Sequence, residues 1–203
     1  MPSQEKYQRM METMQLVSAE LRKESERGCV VLAFAWMDNQ LTCNLRKYLL
    51  PSAQHAEKAD ELLGIGGPIG DAATKINLCF RLGLLGSNTH KSLHMFRRLR
   101  NDFAHLASNI SFDNQTIKDR VRAIFDHEEA MLNSFWKIMI EDEEVRKLTE
   151  QDRGKNGAHI LRDVFGARKL FEITAAALVT ALISIEYSVS PIKPITPLAP
   201  TVD

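Results

Sequence analysis

Leu93-His94-Met95-Phe96-Arg97-Arg98-Leu99-Arg100-Asn101-Asp102-Phe103-Ala104-His105 separates into two faces when wound at about 100° per residue. His94, Arg98, Asn101, Asp102 and His105 fall on one polar face. Leu93, Phe96, Leu99, Phe103 and Ala104 fall on the opposite, apolar face. The split works at a period of 3.6 and fails at a period of 2, so this stretch is a helix and not a strand. Arg100 breaks the pattern: it lies in the middle of the apolar face, with Arg97 at its margin.

The same periodicity extends in both directions. Proline is absent between Pro2 and Pro51 and again between Pro68 and Pro191, and proline-free stretches of that length favour helices. Tyr7, Met10, Met14, Val17 and Leu21 form a seam along a first helix over about residues 4–25. A second helix over about 28–50 stops at Pro51, and a short one near 55–63 precedes a glycine-rich turn at residues 64–70. Further helices are expected over about 71–84 and 88–107, the latter capped by Ser87. Another follows from Ser111 or Asp113, and a seventh carries Met131, Leu132, Phe135, Trp136 and Ile138. The last, over about 158–189, is apolar almost all round and must be buried in the bundle or against a second copy. Pro191, Pro194, Pro197 and Pro200 repeat every third residue, the period of a polyproline II tail. The expected fold is all-α: a bundle of about seven or eight helices in one domain over residues 1–190. Residues 1–25 form an N-terminal helical arm and 191–203 an irregular, flexible, Pro-rich tail.

Composition narrows the function classes. The 203 residues carry 26 Lys plus Arg and 26 Asp plus Glu, so no overall charge draws the chain to nucleic acid. The three cysteines, Cys29, Cys43 and Cys79, lie in apolar helical stretches without CxxC spacing. They read as free thiols in a reducing, cytoplasmic compartment. No metal or cofactor is expected, because no His or Cys pair has ligand spacing. The most apolar run, Leu170 to Ile185, holds Glu172 and is shorter than the roughly 20 residues of a membrane span. The glycine turn lacks the GxxxxGK[ST] pattern of a phosphate loop. The helix after it offers only Lys75, Asn77 and Arg81 for DNA reading.

A second anomaly matches the first. Phe34, Met37, Leu41, Leu45 and Leu49 define the stripe of the second helix, and Asp38 sits inside it. A lone buried carboxylate and a lone buried guanidinium are both costly. Helical phase therefore predicts a buried polar network in which Asp38 pairs with Arg100, with Lys75 as third member. Arg100→Ala is then expected to cost roughly 3–5 kcal/mol.

Three blocks of sequence, residues 30–51, 67–85 and 96–105, together resemble the mannitol operon repressor family. The resemblance implies an all-helical bacterial repressor of mannitol utilisation with no DNA-reading motif, and no enzymatic activity. Repression would work through a protein partner, either another regulator or a component of sugar transport. The basic face around Lys91, Arg97 and Arg98, with His94, Asn101 and His105 beside it, is the expected contact surface, and a homodimer is expected. Arg100 and His105 also form an Arg-x4-His run similar to the signature of HEPN ribonucleases, in which an Arg and a His act on RNA without metal. On a continuous helix these two side chains point about 140° apart. A direct DNA-binding repressor is the third reading.

Overall fold

The computed structural model describes residues 4–51, 60–105, 110–140, 143–149 and 157–194. All regular structure among them is helical. Following the chain, the helices are α1 (Gln4–Lys23), α2 (Glu26–Tyr48), α3 (Ala72–Arg81), α4 (Ser87–His105), α5 (Gln115–Ser134), α6 (Trp136–Met139), α7 (Glu143–Thr149), α8 (His159–Val164) and α9 (Ala167–Glu186). The tally exceeds the expected seven or eight because two helices break. The final one divides at Phe165–Gly166, both with extended backbone. The expected seventh helix is not one element: Met131 and Leu132 belong to α5, Trp136 and Ile138 to the short α6, and α7 follows separately. The short helix expected near 55–63 falls mostly outside the described residues, and 60–63 lies in a turn.

α9 is the centre of the bundle, packed against α1, α2 and α5. Every residue from Leu170 to Thr180 is buried. Its buried hydroxyls are satisfied within the helix: Thr174 donates to the Leu170 carbonyl at 2.7 Å and Thr180 to that of Ala176 at 2.8 Å. Over this stretch α9 has no free apolar face left for a second copy. The N-terminal helical arm, α1, is packed onto the bundle: Met14, Val17 and Leu21 of its seam are buried, and α1 packs on α9. Polar contacts fix α2 against α9, since Asn44 donates to the Leu182 carbonyl at 3.0 Å and Gln40 to Glu186 at 2.9 Å. The start of the tail is tied down as well, because the Ile192 N–H donates to the Tyr48 carbonyl at 2.9 Å. Pro197 and Pro200 lie outside the described residues.

Helix starts follow side-chain chemistry. Ser25 caps α2 through the Gly28 N–H, and Asn114 caps α5 through the Thr116 N–H. The α5 cap is therefore neither Ser111 nor Asp113, and Ser87 is itself the first residue of α4. Asp71 caps α3, accepting from the N–H groups of Ala73 at 3.0 Å and Thr74 at 3.1 Å. The glycine turn delivers Asp71 to that place. Gly66 takes φ +83°, and a side chain on Gly67 would meet the Leu62 carbonyl oxygen at 2.6 Å, so neither position accepts a larger residue without strain.

Cys29 and Cys79 are buried, and burial pushes both thiols up to about 12. They are poor nucleophiles at neutral pH.

Glu128 of α5 is 2% exposed, and its Oε1 has no hydrogen-bond partner. Burial raises its pKa above the carboxylate range; the neighbouring hydroxyls of Ser92 and Thr89 and the charge of His127 oppose the shift. An acid whose folded pKa is raised favours the folded state at low pH. Its contribution is lost as pH climbs from the unfolded carboxylate value, about 4.3, through the folded one. Glu128→Gln, which never ionises, is expected to add about 1–3 kcal/mol of stability near pH 8. Near pH 4 the gain should be much smaller. Thermal unfolding at both pH values checks this; an equal gain at each would show that ionisation is not the cause.

Candidate functional site

α2, α3 and α4 pack on one another and leave an open cleft of about 560 Å³ between them. α2 supplies Phe34, Asp38, Asn39 and Thr42. The α3 start supplies Asp71, Ala72 and Ala73, followed by Lys75. α4 contributes Arg97, Arg100 and Asn101. Both anomalies read from helical phase, Asp38 and Arg100, therefore meet at one place with the expected third member, Lys75. So do the three blocks that carry the family resemblance.

Their pairing differs from the expectation. Asp38 binds Lys75, whose Nζ donates to Oδ2 at 2.9 Å and to Oδ1 at 3.1 Å. The Lys75 side chain is 6% exposed and that of Asp38 31%, so the lysine is the group that needs a partner. Arg100 does not reach Asp38. Its Nη1 donates to Asn101 Oδ1 at 3.1 Å, and its guanidinium is half-buried on the cleft wall. The physical reason is access to water: a half-buried guanidinium keeps its charge solvated, whereas the buried ammonium of Lys75 does not. The expected buried Asp38–Arg100 pair is replaced by an Asp38–Lys75 pair beside a solvated arginine. The large cost anticipated for Arg100→Ala is revised with it. That substitution is expected to change stability by less than about 1 kcal/mol, which a urea titration of the variant against wild type checks.

The expected contact surface divides in two. Lys91, Arg98 and His105 are exposed along α4, while His94, Arg97 and Asn101 are half-buried. Arg97 and Asn101 line the cleft. His94 turns toward α3, where Asn77 Oδ1 accepts from the Nε2–H groups of His94 and His90, each at 2.9 Å. Phe80 stacks on His90 with centroids 4.5 Å apart. Burial lowers the pKa of His94, and His90, Arg97 and Arg98 lower it further. The shift favours the neutral imidazole of His94, so it reinforces the basic face less than the arginines do. Asp102, assigned to the same polar face, pairs with Arg120 of α5. Ala104, assigned to the apolar face, is exposed.

The electrostatics of the cleft are uneven. Asp71 is held below the usual carboxylate range, first by the hydroxyl and backbone N–H of Thr74, then by the Ala73 N–H and the charge of Arg97. Its carboxylate is thus occupied by the α3 cap. Among the described residues neither Arg97 nor Arg100 has a carboxylate oxygen within 4 Å, and the Nε of Arg97 is buried with no acceptor. His105, at the end of α4, is not among the groups lining the cleft.

Sequence reasoning missed Asp71, whose signal was an aspartate two residues before Ala73-Thr74 at a helix start. It also missed the guanidinium–carboxylate pair that does form, the partly buried Arg168 with the buried Glu172 of α9. Their signal was opposite charges four apart in a helix that is otherwise apolar all round. No group of three or more His, Cys, Asp or Glu able to hold a metal occurs among the described residues, and no described helix is long and apolar enough to cross a membrane. No protein-family model matches the chain, and neither does any curated protein or solved structure.

Proposed function

We propose that this chain is a cytoplasmic regulator, without enzymatic activity, that represses mannitol utilisation through contact with a protein partner. The observation that supports it is the convergence of the three resembling blocks on α2, α3 and α4 around one cleft, with the cations Lys91 and Arg98 exposed elsewhere along α4. A ridge of unpaired surface cations suits an acidic partner and sets encounter rate and specificity. The partner is another regulator or a component of sugar transport, and the chain acts as a homodimer without reading DNA itself. The test is a mannitol-operon reporter in the bacterium that carries the gene. Deleting the gene should raise expression, wild type should restore repression, and Lys91→Glu/Arg98→Glu should not, although it folds. An unchanged reporter on deletion, or a promoter mobility shift by the purified chain that survives physiological salt, would reject the proposal.

A second reading, a metal-independent ribonuclease using Arg100 and His105, draws on Arg100 meeting no acid among the described residues and bonding only the Asn101 amide oxygen there. Since His105 does not line the cleft, the pair would need a second copy to complete a site. Cleavage of structured RNA by wild type, lost in His105→Ala, would establish it.

A further inference from the structure

We infer that the cleft between α2, α3 and α4 is a binding site for a small metabolite bearing a phosphate or carboxylate group, held by Arg97 and Arg100. Three observations carry this. Two guanidiniums from one helix line the same cleft with no carboxylate oxygen of a described residue within 4 Å, although carboxylates are present there and Asp71 lies near enough to feel the charge of Arg97. Asp38 is taken by Lys75, at 2.9 Å, and Asp71 by its cap and the Thr74 hydroxyl. The Nε of Arg97 is a buried donor with no acceptor; such an atom costs free energy until an acceptor arrives. The volume, about 560 Å³, lies within the roughly 300–1,000 Å³ usual for small-ligand sites.

The forked guanidinium suits a planar carboxylate or a tetrahedral phosphate equally, through two parallel N–H···O bonds. The N-terminus of α3 is not the anion site, because the Asp71 carboxylate already occupies it. On the opposite wall the partly exposed Asp38 and the Asn39 amide are acceptors for hydroxyl or amine donors of the same ligand. A ligand there would bridge α2 and α4, and would thereby set the angle at which the Lys91–Arg98 ridge is presented. The inference does not depend on the mannitol reading, since it is read on the purified protein.

The experiment is thermal unfolding and calorimetric titration of the full chain with inorganic phosphate, with malonate, and with sodium chloride at matched ionic strength. Variants are Arg97→Gln/Arg100→Gln in the cleft and Lys91→Gln/Arg98→Gln on the outer face of the same helix, with the same charge change. Saturable stabilisation by phosphate or malonate beyond the chloride control is expected. Affinity should fall at least tenfold in the cleft variant and change less than twofold in the outer one. Tighter binding of phosphate or of malonate tells which oxyanion geometry the site takes. Circular dichroism confirms that the variants fold. Equal loss in both variants, or no saturable effect of either anion, would overturn the inference. Displacement of phosphate by micromolar single-stranded RNA would overturn it in favour of a nucleic-acid backbone site.

Discussion

Arg168→Ala is expected to destabilise the fold by about 3–5 kcal/mol, the cost of leaving a buried charge without its partner. Arg168 Nε donates to Glu172 Oε1 at 2.5 Å, and the Glu172 side chain is 8% exposed. The Nη2 of Arg168 donates to the carbonyls of Leu21 at 2.8 Å and Glu24 at 3.0 Å. Those carbonyls sit at the C-terminal end of α1, where backbone donors run short; the Leu21 carbonyl also accepts from the Glu24 N–H at 3.3 Å. The guanidinium also lies over the Phe112 ring, 5.6 Å from its centre. One side chain thus neutralises a buried acid, closes a helix end and joins α1 to α9. Arg168→Lys keeps the charge but not the fork, and should fall between alanine and wild type. Arg168→Ala/Glu172→Ala should recover part of the loss, because the uncompensated acid is gone. Urea denaturation reads all three. Superimposable curves for Arg168→Ala and wild type would show that the clamp contributes nothing.

Phe171→Ala is expected to cost about 3–5 kcal/mol, in the range of large-to-small aromatic truncations in a core. Phe171 is buried between Phe96 of α4 and Phe112, with ring centres 5.3 Å away in both cases. Phe112 in turn meets Phe103 at 5.4 Å. Four rings therefore link α9 to both ends of the stretch that carries the cleft arginines. Phe96 is the residue immediately before Arg97, so a void at Phe171 loosens the cleft wall as well as the core. The variant should lose phosphate or malonate affinity together with stability, while Phe171→Leu, which fills more of the volume, should lose less of each. A drop smaller than about 1 kcal/mol in thermal or urea unfolding would mean that the surrounding rings collapse into the space.

The helices themselves were legible because their signals are local. The seam of α1, the stripe of α2 and the two-faced α4 follow from spacing alone, and burial agrees at Leu21, Met37, Leu41, Phe96 and Leu99. Asp38 and Arg100 were also legible as anomalies. A polar residue inside an apolar stripe must meet either a buried partner or a wetted cleft. Helical phase gives the direction of a side chain about its own axis but not the rotation of one helix against the next, so it could not choose between Lys75 and Arg100 for Asp38. The same limit hid the clamp at Arg168, whose acceptors are backbone carbonyls that no side-chain pattern records. The break at Gly166 was marked by the glycine, yet the apolar run on either side of it reads as continuous.

The place of α9 in the bundle has a consequence for how the chain is made. A ribosome releases every other described helix before it releases α9, and at roughly 5–20 residues per second the wait from α1 to α9 is on the order of ten seconds. Throughout that interval the greasy sides of α1, α2 and α5 lack the strut they close upon. A nascent chain stalled or cut short ahead of Ala167 would present three sticky surfaces at once, so holding factors at the exit tunnel should matter more for this protein than for a bundle built from its N-terminus outward.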